Sequence, residues 1–178
     1  MNAMADAPVE LGPFRGAPQT VALVKRYAVE SQRHPDVRLL AEDVLPKVKS
    51  KDYLSEILAI YNYVLANTRY TNDPRNVELV KKPWRVVRQM RAGQVPGLDC
   101  DDLVCLIAAL LLAVGREVQI VTVGFRRQHF RGQIQYSHVF LRVREPRTGR
   151  WVVLDPVAAE DTRSMIRRVQ VVKIWPVA

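Results

Sequence analysis

The sequence predicts an α+β domain with helices first and an antiparallel sheet after them. Three observations carry that expectation. Apolar residues recur at helical spacing up to about residue 115. Beyond it, short β-branched segments replace the helical period. Pro146-Arg147-Thr148-Gly149 then separates two such segments as a hairpin turn would.

Length and composition set the frame. A chain of 178 residues buries enough surface for one core without disulfides or metal. Hydrophobic residues make up 48% and charged residues 25%, the balance of a soluble globular chain. We read residues 1–19, rich in Pro, Gly and Ala, as a flexible arm, and 20–178 as a single domain. The stretch Met1 to Thr20 lacks the apolar core of a signal peptide, and the longest apolar run, Leu103 to Val114, is too short for a bilayer. These features predict no membrane association and a cytoplasmic protein, or a component of a particle assembled there. The two cysteines, Cys100 and Cys105, diverge on one helix, so neither a disulfide scaffold nor a metal spacing is expected.

The helical segments follow in order. Thr20 to Gln32 carries Val21, Val24, Ala28 and Ser31 on one stripe, with Thr20 as its cap. Asp36 to Val48 is a second helix, interrupted near Pro46. Asp52 to Asn67 repeats Leu54, Ile57, Leu58, Tyr61, Val64 and Leu65 at helical spacing. Tyr70 to Asn76 and Gly93 to Gly97 read as loops. Val77 to Met90 between them is helical in pattern, with Pro83 starting or breaking the helix. Cys100 to Val114 is the strongest helix: Asp99 is its N-cap, Asp102 stands at the capping-box position, and Gly115 ends it. Apolar nearly all round, it belongs at the centre of the core.

Strands are expected at Glu117 to Phe125, Tyr136 to Val143 and Trp151 to Leu154, with Val171 to Ile174 as a fourth. Gln128 to Gln133 reads as a polar loop. A turn centred between Pro146 and Arg147 pairs His138 with Asp155. A turn one residue later pairs His138 with Val157 and leaves Asp155 as a diagonal neighbour. Either register puts His138 and Asp155 on one face, with Val139, Leu141, Val143, Val152 and Leu154 on the other.

The chemistry-bearing residues emerge from this layout. Cys100 stands in the first turn of the central helix, where unpaired N–H groups and the dipole favour a thiolate. Asp99, Asp101 and Asp102 surround it, and their charges oppose one. Position alone leaves a nucleophile and a structural cysteine equally open. His138 beside Asp155 is the base-and-orienter pair that a cysteine nucleophile requires. His34 precedes a proline and His129 lies in the basic loop, so both read as solvated. The net charge of +9 favours acidic partners, but without a nucleic-acid motif it predicts only weak, salt-sensitive binding through a basic surface.

These residues resemble a known family. Asp99-Cys100-Asp101-Asp102 opens an apolar helix, Ser137-His138-Val139-Phe140 follows on a strand, and Trp151 through Asp155-Pro156 on the next. This is similar to the transglutaminase-like superfamily of papain-like cysteine enzymes, whose triad runs Cys, His, Asp. Tyr70, Asp73-Pro74, Val77-Glu78 and Pro83-Trp84 resemble the segment before the nucleophile in small bacterial and phage members. Leu98 departs from the pattern, since the family has Gly directly before the Asp-Cys pair. The resemblance implies a papain-like core with an antiparallel sheet packed on the nucleophile helix. It implies a cysteine-dependent peptidase, amidase or transglutaminase-type acyl transferase acting on protein or peptide amides through a thioester. Cys100, His138 and Asp155 would be catalytic, Trp84, Asp99 and Asp101 would line the substrate or oxyanion site, and no cofactor is implied. The alternative is a non-catalytic module for protein binding or phage-particle assembly. In a phage the protein would be virion-associated.

Overall fold

The computed structural model describes residues 9–10, 17–45, 51–73, 79–127, 129–130, 133–157 and 162–177. Its centre is helix α5, Cys100–Ala113, with every residue from Asp101 to Leu111 buried. Asp99 caps it by accepting the Asp102 N–H at 3.0 Å, and Gly115 closes it at φ +74°. Leu106, Ile107, Leu110 and Leu111 are fully buried, each contributing about 2 kcal/mol of apolar transfer.

Four helices surround α5: α1 (Ala17–Ser31), α2 (Pro35–Val44), α3 (Tyr53–Asn67) and α4 (Pro83–Arg91). Proline opens α2 and α4, where its missing N–H costs nothing. Asp52 caps α3. Two expected caps differ. Thr20 lies inside α1 and is buried, because the helix starts three residues earlier, with Pro18 in its first turn. Asp102 reaches away from the capping box to Lys81.

The other side of α5 meets strands β5 (Val118–Gly124) and β8 (His138–Arg144). With β9 (Trp151–Leu154) and β10 (Val171–Pro176) they form an antiparallel sheet ordered β10-β5-β8-β9. The fold is therefore α+β, with N-terminal helices followed by an antiparallel sheet packed on the Cys100 helix. A short helix, α6 (Thr162–Arg167), joins β9 to β10.

Three two-residue pairings occur where the sequence suggests none. β1 (Val9–Glu10) pairs with β3 (Leu79–Val80), so part of the expected arm is strand. β2 (Arg69–Tyr70) pairs in parallel with β4 (Gly97–Leu98), joining two expected loops. β6 (His129–Phe130) and β7 (Gln133–Ile134) form a small hairpin within the expected polar loop. Among the described residues no helix is long and apolar enough to cross a membrane. Pro46, Pro74, Val77 and Glu78 lie outside the described residues.

Candidate active site

Cys100 is positioned by the chain that leads into α5. The β2–β4 pair, extended by the Thr71 N–H to Leu98 O bond of 2.9 Å, holds residues 97–98 against residues 69–71. A Cβ at Gly97 would stand 2.7 Å from the Thr71 hydroxyl oxygen, so any larger residue there would force the Thr71 side chain to move. Leu98, the departure from the family pattern, is fully buried and anchors the turn into the core. Cys100 follows the Asp99 cap and is half-buried, while Cys105 one turn on is fully buried beside the Val24 carbonyl.

The carboxylates around Cys100 decide its resting state. Its thiol donates to Asp101 Oδ1 at 3.4 Å. Burial, then the charges of Asp101 and Asp99, push the thiol well above its ordinary range. These effects oppose the helix dipole and favour the neutral thiol at rest. Burial and the nearby Asp102 charge also push Asp99 up to about 7. Burial raises Asp102 too, against the pull of Lys81, whose backbone N–H it accepts at 2.7 Å and whose ammonium it pairs with.

His138 and Asp155 come from the β8–β9 hairpin. The observed register pairs Leu141 with Leu154 and Val143 with Val152, the later of the two turns. The Glu145 carboxylate fixes it by accepting the N–H groups of Arg147 (2.9 Å) and Thr148 (2.7 Å), with Gly149 at φ +69°. Asp155 is thus diagonal to His138, and His138 Nε2 lies 2.7 Å from Asp155 Oδ2. The Asp155 carboxylate is fully buried and also accepts the Val157 N–H at 3.0 Å. Its backbone carbonyl accepts the Tyr61 hydroxyl at 2.6 Å. Asp155 is held from three sides, and its grip on Nε2 leaves Nδ1 as the ring nitrogen for chemistry.

One cavity of 180 Å³ brings Cys100, Asp101, Ser137 and His138 together. Thr20, Val21 and Val24 of α1 form a wall, and Ile120 and Thr122 of β5 line it too. Cys100 and His138 share this space with no hydrogen bond between them, and the thiol donates to Asp101 instead.

Trp84, Asp99 and several other residues singled out in the sequence are placed as follows. Trp84 does not line the cavity: its ring stacks on His34 at 5.1 Å and 8°, with the Arg88 guanidinium 4.8 Å from its centroid. His34 is not merely solvated, since its Nδ1 accepts the Asp36 N–H and caps α2. Asp99 serves as cap, outside the cavity lining. His129 sits in the β6–β7 hairpin. Tyr70 is exposed, its hydroxyl 3.0 Å from Asn72, and Arg142 stacks over Trp151. Sequence reasoning missed Tyr61, which looks like one more stripe residue, and the α1 wall, which only tertiary packing brings to Cys100.

A profile of the transglutaminase-like superfamily matches residues 40–156, about two-thirds of the chain. The protein belongs to the transglutaminase-like superfamily. Two solved structures share the superfamily fold. One is a candidate protease from Parabacteroides distasonis, with a TM-score of 0.58 and 14% identity over 80% of this chain. The other is a candidate cysteine protease from Cytophaga hutchinsonii, with a TM-score of 0.50 and 15% identity over 79%. This transglutaminase-like chain spans only 27% and 46% of those chains. No curated protein matches it.

Proposed function

We propose that this protein is a cysteine-dependent acyl-transfer enzyme acting on protein or peptide amides through a thioester on Cys100. The observation that carries the reading is the single cavity onto which Cys100 and the Asp155-held His138 both open. His138 Nδ1 takes the thiol proton, and the sulfur attacks the amide carbonyl carbon. First-turn N–H groups of α5 are the available donors for the resulting oxyanion. The His138 imidazolium then protonates the departing amine as the C–N bond breaks, leaving the thioester. Water or a second amine, deprotonated by His138, attacks the thioester and restores the thiol. Asp155 holds the imidazole in the required tautomer and stabilises its charged form.

The test is acylation by p-nitrophenyl acetate, following p-nitrophenol release and the acetyl adduct by intact mass and peptide mapping. The wild type is expected to show a burst with the acetyl group on Cys100. His138→Ala is expected to lose about 10²-fold or more of the acylation rate, the usual contribution of a general base. Asp155→Asn is expected to lose a comparable factor with the fold intact. Equal rates in all three proteins would reduce the residues to neighbours. A second reading, a non-catalytic protein-binding or assembly module, is favoured by one observation: the resting thiol donates to Asp101.

A further inference from the structure

The wall that α1 gives the cavity has no part in the proton transfers. Four lining residues, Ala17, Thr20, Val21 and Val24, come from α1, which precedes the superfamily match at residues 40–156, so that match assigns them no role. The helix is fixed in place. Val21, Val24 and Ala28 are buried in the core, and the Val24 carbonyl accepts the Cys105 thiol of α5 at 3.5 Å. Ile120 of β5 and Val139 of β8 add aliphatic surface. Several polar groups of the lining already have partners inside the protein. The Thr122 hydroxyl accepts the Trp175 indole N–H at 2.9 Å, Asp101 accepts the Cys100 thiol, and Asp155 holds the His138 ring. The chain carries a net +9, yet among the described residues lining the cavity there is no Lys or Arg. Shape and apolar surface are what remain to recognise a guest.

We propose that Val21 and Val24 of α1 are specificity-determining residues, and that the cavity takes an uncharged aliphatic side chain from the acyl group attached to Cys100. The volume sets the size. At 180 Å³ the cavity resembles apolar cavities of ~150 Å³ that take in a benzene-sized guest, which allows about four to six carbons. Burying an apolar group of that size favours binding by about fourfold per methylene. A charged side chain would lose its hydration there, against walls of valine and isoleucine. The substrate class is therefore peptide amides whose acyl-side residue is Val-, Leu- or Ile-like. The wall belongs to a packed helix, so the selection is steric and built in. The inference rests on Cys100 acting as the nucleophile.

The experiment uses methyl, butyl, hexyl and decyl methanethiosulfonate, which need no general base. Each transfers its thioalkyl group to the cysteine sulfur, forming a disulfide and expelling methanesulfinate. Rates at Cys100 are read by mass after peptide mapping, and each is divided by the rate with free cysteine to remove intrinsic reactivity. In the wild type the butyl reagent is expected to react about tenfold faster or more than the methyl reagent, with no further gain at decyl. Val21→Phe fills the cavity and is expected to abolish the butyl advantage. Val21→Ala enlarges it and is expected to move the optimum from butyl to hexyl. Should the Phe variant fail to fold, Val21→Ile narrows the cavity by one carbon and is expected to lower the butyl-to-methyl ratio. A wild-type ratio near one, or a ratio that the Val21 variants leave unchanged, overturns the proposal. Loss of p-nitrophenyl acetate acylation with the length preference intact removes the acyl-enzyme reading, and with it the substrate class. Acylation with no length preference removes this inference alone.

Discussion

Two buried carboxylates in this molecule are built alike and work differently. Asp102 in α5 accepts a backbone N–H and an ammonium, both from Lys81. Asp155 beyond β9 accepts a backbone N–H from Val157 and a ring nitrogen from His138. Neither carboxylate side chain is exposed to solvent. The difference lies in the partner. Burial disfavours the Lys81 ammonium, but Asp102 more than offsets it and holds the amine above its usual value, so Lys81 keeps its proton and passes none on. The His138 ring has a second nitrogen and borders the cavity, so a proton can pass through it while Asp155 stays fixed. A buried carboxylate becomes a lock or a working part according to whether its partner can both take and give a proton in reach of substrate.

The largest effect that sharpens this contrast is expected from Lys81→Met. It leaves Asp102 buried with a single N–H partner, and breaking a buried pair on one side costs about 3 kcal/mol. Urea denaturation at pH 7 checks the loss, which is expected to shrink at lower pH as Asp102 takes up a proton. His138→Ala also takes a partner from a buried carboxylate, but Asp155 keeps the Val157 N–H and the cavity admits water, and a loss under about 1.5 kcal/mol is expected. Equal losses for the two variants would make both pairs structural locks and end the contrast.

A smaller effect lies between them at Asp99. Its folded-state value of about 7 stands above the ordinary 3.8. Between those values the folded chain holds a proton that the unfolded chain has released. Stability from this group is therefore present below about pH 4 and is lost as pH rises through 7. Asp99→Asn keeps the capping acceptor for Asp102 N–H and removes the titration. The variant is expected to match wild type near pH 4 and to exceed it by about 1–2 kcal/mol at pH 8, read from urea midpoints. A pH-independent difference would show that burial and the Asp102 charge do not shift Asp99.

Most of the scaffold was legible because it obeys local rules. Asp99, the apolar run and Gly115 mark both ends of α5 to within a residue, and β8 and β9 show by alternation which residues face α5. The pairs β1–β3, β2–β4 and β6–β7 were not legible, since two residues make no period and the partners of the first two are remote in sequence. The hairpin left two registers open because Pro146 to Gly149 accommodates either turn, and the Glu145 side chain chooses. At the candidate site, strand parity put His138 beside Asp155 from sequence alone. The state of Cys100 did not follow, because dipole and carboxylates oppose each other there and burial tips the balance. Trp84 is a different case: the resemblance implied a place for it at the substrate or oxyanion site, and in the structure the N-cap of α2 brings His34 against its ring and α4 stacks Arg88 on it.

The smallest expected effect tests how firmly Asp155 must be held. Tyr61 projects from the buried stripe of α3, and its hydroxyl donates to the Asp155 carbonyl at 2.6 Å. Burial, then the negative charge of Asp155, pushes that phenol above its ordinary value, so it remains a donor throughout the neutral range. Tyr61→Phe removes one buried hydrogen bond and preserves the ring. A cost of about 1 kcal/mol in urea denaturation is expected, the net worth of such a bond plus the unmet carbonyl. The carboxylate keeps its Val157 N–H and its 2.7 Å contact with His138, so the imidazole stays oriented. Acylation by p-nitrophenyl acetate is therefore expected to fall by no more than about threefold, with its pH profile in place, far short of the loss for a misoriented base. A fall of about 10²-fold, or a displaced pH profile, would show that the α3 contact positions the His138–Asp155 pair itself. The working carboxylate would then depend on a remote helix as much as Asp102 depends on Lys81, and the distinction between lock and working part would blur.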